Sequence, residues 1–195
     1  MIWKSIKMNK ELNSYDRANI KIILSKLGLD MTDENLVDTP LRILKMWKDD
    51  FCANVDKEFT DFKSFPNIHS YNQMITSEEI QFSSVCSHHF IPFSGKAWFG
   101  YIPDSLLIGK SKISRLIKHY CLKPQLQENL THEILNCFVE NISPKGAMLI
   151  MKAVHDCEFC RGSRTYSPMT TSAIYGVFDQ EKTRNEFLLL LQLKI

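Results

Sequence analysis

Apolar residues return at helical spacing through the first third of the chain, and the remainder mixes helical with alternating patterns. Ile20, Ile23, Leu24 and Leu27 share one helical face after Ser14 and Asp16, and Gly28 stands where a helix C-terminus favours a left-handed residue. Asp38-Thr39-Pro40 restarts a helix: Thr39 can cap it, Pro40 suits its first position, and Ile43, Leu44, Met46 and Trp47 form its buried side. From Phe51 to Ser77 the Pro, Asn and aromatic content shows little period and predicts an irregular connection. The domain boundary is placed there, with a helical segment and connection over 1–75 and a core over 76–195, together one functional unit.

Beyond that boundary the order reads strand, strand, helix, helix, strand, strand. Phe93 to Ile102 alternates apolar and aromatic positions, broken by Gly95, and Pro103-Asp104-Ser105 is a turn. Ser111 is the expected cap of a helix carrying Ile113, Leu116, Ile117 and Tyr120 as one stripe. Pro124 opens the next helix, with Leu126, Leu130, Ile134 and Phe138 inward, and Ser143-Pro144-Lys145-Gly146 closes it. Ala147 to Val154 is almost continuously apolar, the mark of a buried strand. Thr183 is the expected cap of a last short helix through Leu193.

Composition narrows the class. A chain of 195 residues can bury one good core, and a formal net charge of +2 is too small to argue for nucleic acid, so anion binding must come from local clusters. Six cysteines are too sparse for a disulfide scaffold. No secretory pattern opens the chain and no apolar run approaches membrane-spanning length, so a cytoplasmic protein with reduced thiols and no membrane partner is expected.

Two clusters carry the chemistry. Cys86-Ser87-His88-His89 and, far downstream, His155-Asp156-Cys157 supply the parts of a zinc site with spare histidines beside it. A catalytic zinc keeps three protein ligands and an open position, whereas a structural one closes with four, so the ligand count decides the function. About seventy residues separate the clusters, too many for the compact spacing of zinc fingers.

Six ordered blocks extend the pattern: Asp38-Thr39-Pro40-Leu41-Arg42 with Lys45-Met46; Cys86-Ser87-His88-His89 with Pro92-Phe93-Ser94-Gly95; Tyr101-Ile102-Pro103; Ile108-Gly109-Lys110-Ser111-Lys112 with Arg115; Pro124 through Thr131; and His155-Asp156-Cys157 with Arg161-Gly162. In these blocks the chain resembles GTP cyclohydrolase I over nearly its whole length. The resemblance implies an α+β tunnelling fold (T-fold), with an antiparallel sheet, two long helices per subunit and an N-terminal helical segment. In that family sheets from several subunits close into a barrel, usually as a homodecamer of two pentamer rings with active sites between subunits. The implied reaction converts GTP and water into 7,8-dihydroneopterin triphosphate and formate, the first step of tetrahydrofolate and pterin synthesis.

The resemblance also implies roles. Cys86, His89 and Cys157 would hold Zn2+, whose use is to bring the pKa of a bound water to about 7. His88 and His155 would deliver protons to the purine and ribose. If the chain past the buried strand stays extended, His155 and Cys157 point to one side. Glu128, with Gln127 beside it, would clamp the guanine, because two acceptor oxygens complement N1–H and the exocyclic amine. Ser111 at a helix start, with Lys112, Arg115 and Arg161, would bind the triphosphate, joined by Arg42 from a neighbouring subunit.

Three positions leave alternatives open. Cys157-Glu158-Phe159-Cys160 is itself a CxxC, so Cys160 is either a fourth ligand that shuts the open position or simply a small buried or half-buried residue. Most family members have glutamate where Ser87 stands, and a hydroxyl has neither the charge nor the reach to order a metal water. Lys123 replaces a common arginine, keeping the charge and losing the planar fork. A non-catalytic or altered paralogue binding guanine nucleotide is therefore the rival reading. The nitrile reductase branch of the same fold is disfavoured by the paired metal clusters.

Overall fold

The structure is a computed structural model that describes residues 11–192. It divides into two compact units between Asp56 and Lys57, earlier than the expected boundary at 75/76. Residues 57–75 join the second unit because Ser64–Pro66 (β1) pairs antiparallel with Leu106–Ile108 (β4), while Phe59 and Phe62 pack into that unit's core.

The first unit holds Ser14–Lys26 (α1), Thr39–Lys45 (α2) and a π-helical turn, Met46–Phe51. Asn13 caps α1 in a reciprocal box with Asp16, its Oδ1 accepting from the Tyr15 amide at 2.8 Å while Asp16 accepts from the Asn13 amide at 2.9 Å. Of the expected apolar stripe of α1, Ile20 and Leu24 are half-buried while Ile23 and Leu27 are exposed, Leu27 at 72%. In α2 the cap position is Asp38 and Thr39 is already helical; Pro40 and Leu44 are buried, while Met46 is exposed.

The second unit is α+β. Its five-stranded sheet has the order β5-β2-β3-β6-β7, with Ile75–Cys86 (β2), Pro92–Ile102 (β3), Pro124–Gln125 (β5), Gly146–His155 (β6) and Met169–Gly176 (β7). All pairings are antiparallel except the short β2–β5 contact. Lys110–Cys121 (α3) and Gln127–Ile142 (α4) pack on one face, where Phe93, Ala97, Phe99 and Tyr101 of β3 and Ala147, Leu149, Met151 and Ala153 of β6 join Leu116, Ile117, Leu130, Ile134 and Phe138. Alternate residues turn the other way: Trp98, Met148 and Ile150 pack with Phe187 of Glu181–Leu190 (α6). Gly95 does not interrupt β3. A Cβ there would sit 1.9 Å from the Lys152 carbonyl oxygen of β6, so glycine permits the close ladder.

Three expected helix starts move. Ser111 lies inside α3, whose cap is Gly109, because β4 keeps the chain in its ladder through Ile108. Pro124 belongs to β5 rather than to a helix, since Pro124 and Gln125 register against Val85 and Cys86; α4 begins after Leu126. Thr183 lies within α6, which starts after Gln180, and the expected end at Leu193 falls outside the described residues. Among the described residues no helix is long and apolar enough to cross a membrane.

Candidate active site

The β2–β3 hairpin makes the first half of the site. After Cys86 the chain turns tightly: the Phe90 amide donates to Cys86 O at 2.9 Å and the Cys86 amide to Ile91 O at 3.0 Å. The turn places His89 Nδ1 3.8 Å from the sulfur of buried Cys86. Phe90 closes it in the left-handed region at φ 54, a strained backbone for an aromatic residue and one held at the ligand turn.

The second half comes from the end of β6. Here the extended arrangement is corrected: His155 ends the strand and Asp156–Phe159 (α5) is a helical turn, so Cys157 is presented by a helix turn rather than by strand alternation. One ligand atom from each of Cys86, His89 and Cys157 lies within 4.8 Å of the other two. Zn–S bonds of about 2.3 Å and Zn–N bonds of about 2.0 Å in a tetrahedron put ligand atoms roughly 3.5–3.8 Å apart, so this set needs little adjustment to grip one ion. Burial, and the Cys86 sulfur beside it, push the Cys157 thiol up, while Arg161 pulls it down. A divalent cation between the two sulfurs reverses that penalty, which suits the donor set to a borderline-soft metal. Cys160 stands outside the cluster and is exposed, not buried or half-buried as expected of a non-ligand, because it follows the helical turn on its outer side.

His155 is half-buried against the cluster's strand. Its ring stacks on Phe93, directly opposite in the β3–β6 register, with centroids 4.6 Å apart and planes 3° from parallel. Nε2 lies 2.9 Å from Gln127 Oε1. Burial lowers the His155 pKa, opposed by the negative charges of Glu128, Glu158 and Asp156. His88 is exposed beside His89, ring centroids 6.1 Å apart.

The remaining expected residues divide. Glu128 is exposed in the first turn of α4, whereas Gln127, expected beside it at the base, is fully buried beneath His155. Lys112 and Arg115 converge on Asp61, which accepts from Lys112 Nζ through one oxygen and from Arg115 Nη1 at 2.9 Å through the other. Lys112 and then Arg115 hold the Asp61 carboxyl below its ordinary range. Ser111 is exposed on the same helix, Arg161 is exposed just past α5, and Arg42 is exposed on α2 of the first unit. Asp61 and Thr171 were not singled out by sequence, and Phe93 and Thr131 stood only inside matching blocks, without a role. Asp61 lies in the stretch without periodicity, and the other three look like ordinary sheet and helix residues until the strands are paired.

The sequence model of GTP cyclohydrolase I matches residues 17–192. A protein described as GTP cyclohydrolase 1 from Sulfurihydrogenibium sp. is 41% identical over 92% of this chain and 94% of its own length. The one from Aquifex aeolicus is 38% identical over 89% and 93%, respectively. Among solved structures, the archaeosine synthase QueF-Like in the apo form covers 53% of this chain and 93% of its own at 15% identity and a TM-score of 0.43, too loose a likeness to bear on the fold. This chain belongs to the GTP cyclohydrolase I family.

Proposed function

We propose that this protein is a zinc-dependent GTP cyclohydrolase I, which opens the imidazole ring of guanine in GTP with water to give 7,8-dihydroneopterin triphosphate and formate. One observation carries the reading: in a chain of this family, Cys86, His89 and Cys157 converge within 4.8 Å with Cys160 outside the group, a three-donor set. Zinc bound by these three side chains supplies activation of a water at neutral pH.

The chain's own residues bind and orient the substrate and move its protons. Glu128 accepts N1–H and the exocyclic amine of guanine. Lys112 and Arg115, with Ser111 and Arg161, receive the triphosphate; Asp61 occupies one donor on each cation and leaves further N–H groups for phosphate oxygens. His88 and His155 deliver protons to purine N7 and N9 and then to the ribose oxygen. Arg42 reaches the phosphates from a neighbouring subunit of a homodecamer, in which sheets join into a barrel. The edge of the sheet at β7, with Ile174 and Tyr175 exposed, and the exposed Ile22, Ile23 and Leu27 in and just after α1 support such packing. Location in the cytoplasm fits six free cysteines.

The deciding experiment incubates metal-loaded protein with GTP and follows formate and pterin fluorescence. Formation of both is expected; persistent GTP under zinc saturation would reject the reading. Ser87, half-buried in the ligand turn, favours a second reading, a nucleotide-binding relative without ring opening. Turnover that appears only in Ser87→Glu would select it.

A further inference from the structure

Three acceptors surround the amide nitrogen of Gln127: the Met151 carbonyl at 3.0 Å, the Met169 carbonyl at 3.2 Å and Thr171 Oγ1 at 3.1 Å. That set fixes the amide. Turned round, its oxygen would face two backbone carbonyls in a site closed to water, with no hydrogen to place between them. Oε1 is therefore the atom 2.9 Å from His155 Nε2, and an amide oxygen only accepts.

The hydroxyls agree with this direction. Thr131 Oγ1 donates to the Gln127 carbonyl at 2.7 Å and lies 2.6 Å from Thr171 Oγ1. With the Thr131 hydrogen committed, Thr171 must donate to Thr131, and its oxygen then accepts from the Gln127 amide. Reversing any member sets two acceptors or two donors face to face. Phe93 meanwhile holds the imidazole plane by stacking.

We infer that Gln127 is a positioning residue for His155: it keeps a hydrogen on Nε2, so that Nδ1 is the ring nitrogen that exchanges protons with the substrate. Nε2 bears its hydrogen in the neutral and the charged ring alike, so the assignment does not depend on where His155 titrates. The identity of the substrate rests on the cyclohydrolase reading; the tautomer does not.

Magic-angle-spinning spectra of the full-length, zinc-loaded chain with nitrogen-15 histidine test it, with His155→Gln identifying the resonance. In mildly alkaline buffer, where histidine is neutral, Nε2–H is the expected form of His155. A predominant Nδ1–H form overturns the inference, and this arm needs no change at Gln127. Gln127→Met is expected to mix the tautomers and lower kcat for GTP about 10- to 100-fold with KM within about threefold. Gln127→Glu, which keeps the acceptor, is expected to retain Nε2–H. A raised KM in Gln127→Met with kcat and tautomer unchanged would put Gln127 on the base and overturn the proposal. Should Gln127→Met not fold, Thr171→Val replaces it with the same expected direction. Wild-type protein that leaves GTP intact would remove the cyclohydrolase reading while the spectrum still decides the tautomer.

Discussion

Cys157 and Cys160 carry the same side chain three positions apart, and the fold separates them. The helical turn α5 brings Cys157 to Cys86 and His89 and leaves Cys160 exposed. After dialysis against a weak chelator, elemental analysis is expected to find parental zinc content in Cys160→Ser and most of the zinc lost from Cys157→Ser. Equal losses would make Cys160 a ligand. Glu128 invites a second comparison, because replacing its carboxylate by an amide leaves a donor where guanine also presents donors. Glu128→Gln is expected to raise KM for GTP about 10- to 100-fold with a smaller change in kcat, as steady-state kinetics would show. An unchanged KM would take Glu128 away from the base. At this scale the side chains proposed for the chemistry were legible as candidates, since each is a distinctive residue type in a distinctive block. Gln127 was legible as important and not as to its role: nothing in Gln-Glu says which of the two turns inward.

The elements place those residues through register. β3 and β6 set Phe93 opposite His155 and Gly95 opposite Ala153, so the stacking partner and the close backbone approach are consequences of one ladder. Gly95→Ala forces a Cβ to within 1.9 Å of Lys152 O. Urea unfolding is expected to show a loss of about 2–3 kcal/mol, and a loss below roughly 0.5 kcal/mol would contradict this register. The strand at 147–154 and the helical stripes at Ile113, Leu116 and Ile117 were legible because burial repeats with the period of the element. The helix starts at Ser111 and Pro124 were not. Both residues are good starters locally, but the β4 ladder with β1 ends at Ile108, so the helix is already under way at Ser111, while pairing of β5 with β2 holds Pro124 extended. The approach to β2 was likewise illegible, because β1 is three residues long and all three are exposed.

In the molecule as a whole, burying thiols links stability to pH. Burial pushes the Cys121 thiol up to about 12, at the end of α3 inside the core. In the unfolded chain a thiol ionises near pH 8.5, so the contribution of Cys121 is fully present below that value and is lost as pH rises toward about 12. Urea midpoints measured across this alkaline range are expected to fall more steeply for the parent than for Cys121→Ala; parallel declines would assign the loss to other groups. At acid pH the sign reverses for His155. Its lowered pKa means the unfolded chain binds the proton more readily, so this contribution holds above about 6.5 and fades below it.

The sequence by itself determined the family, the candidate donor set and the apolar faces of α3 and α4, because ligand chemistry is a property of residue type and amphipathic period is a property of neighbours along the chain. Tertiary structure alone decided that Cys160 stays outside the group formed by Cys86, His89 and Cys157, that Asp61 bridges Lys112 and Arg115, and that Gln127 lies under His155. Each of those depends on atoms brought together from distant segments, and hydrogen-bond direction in a buried cluster is set by every partner at once.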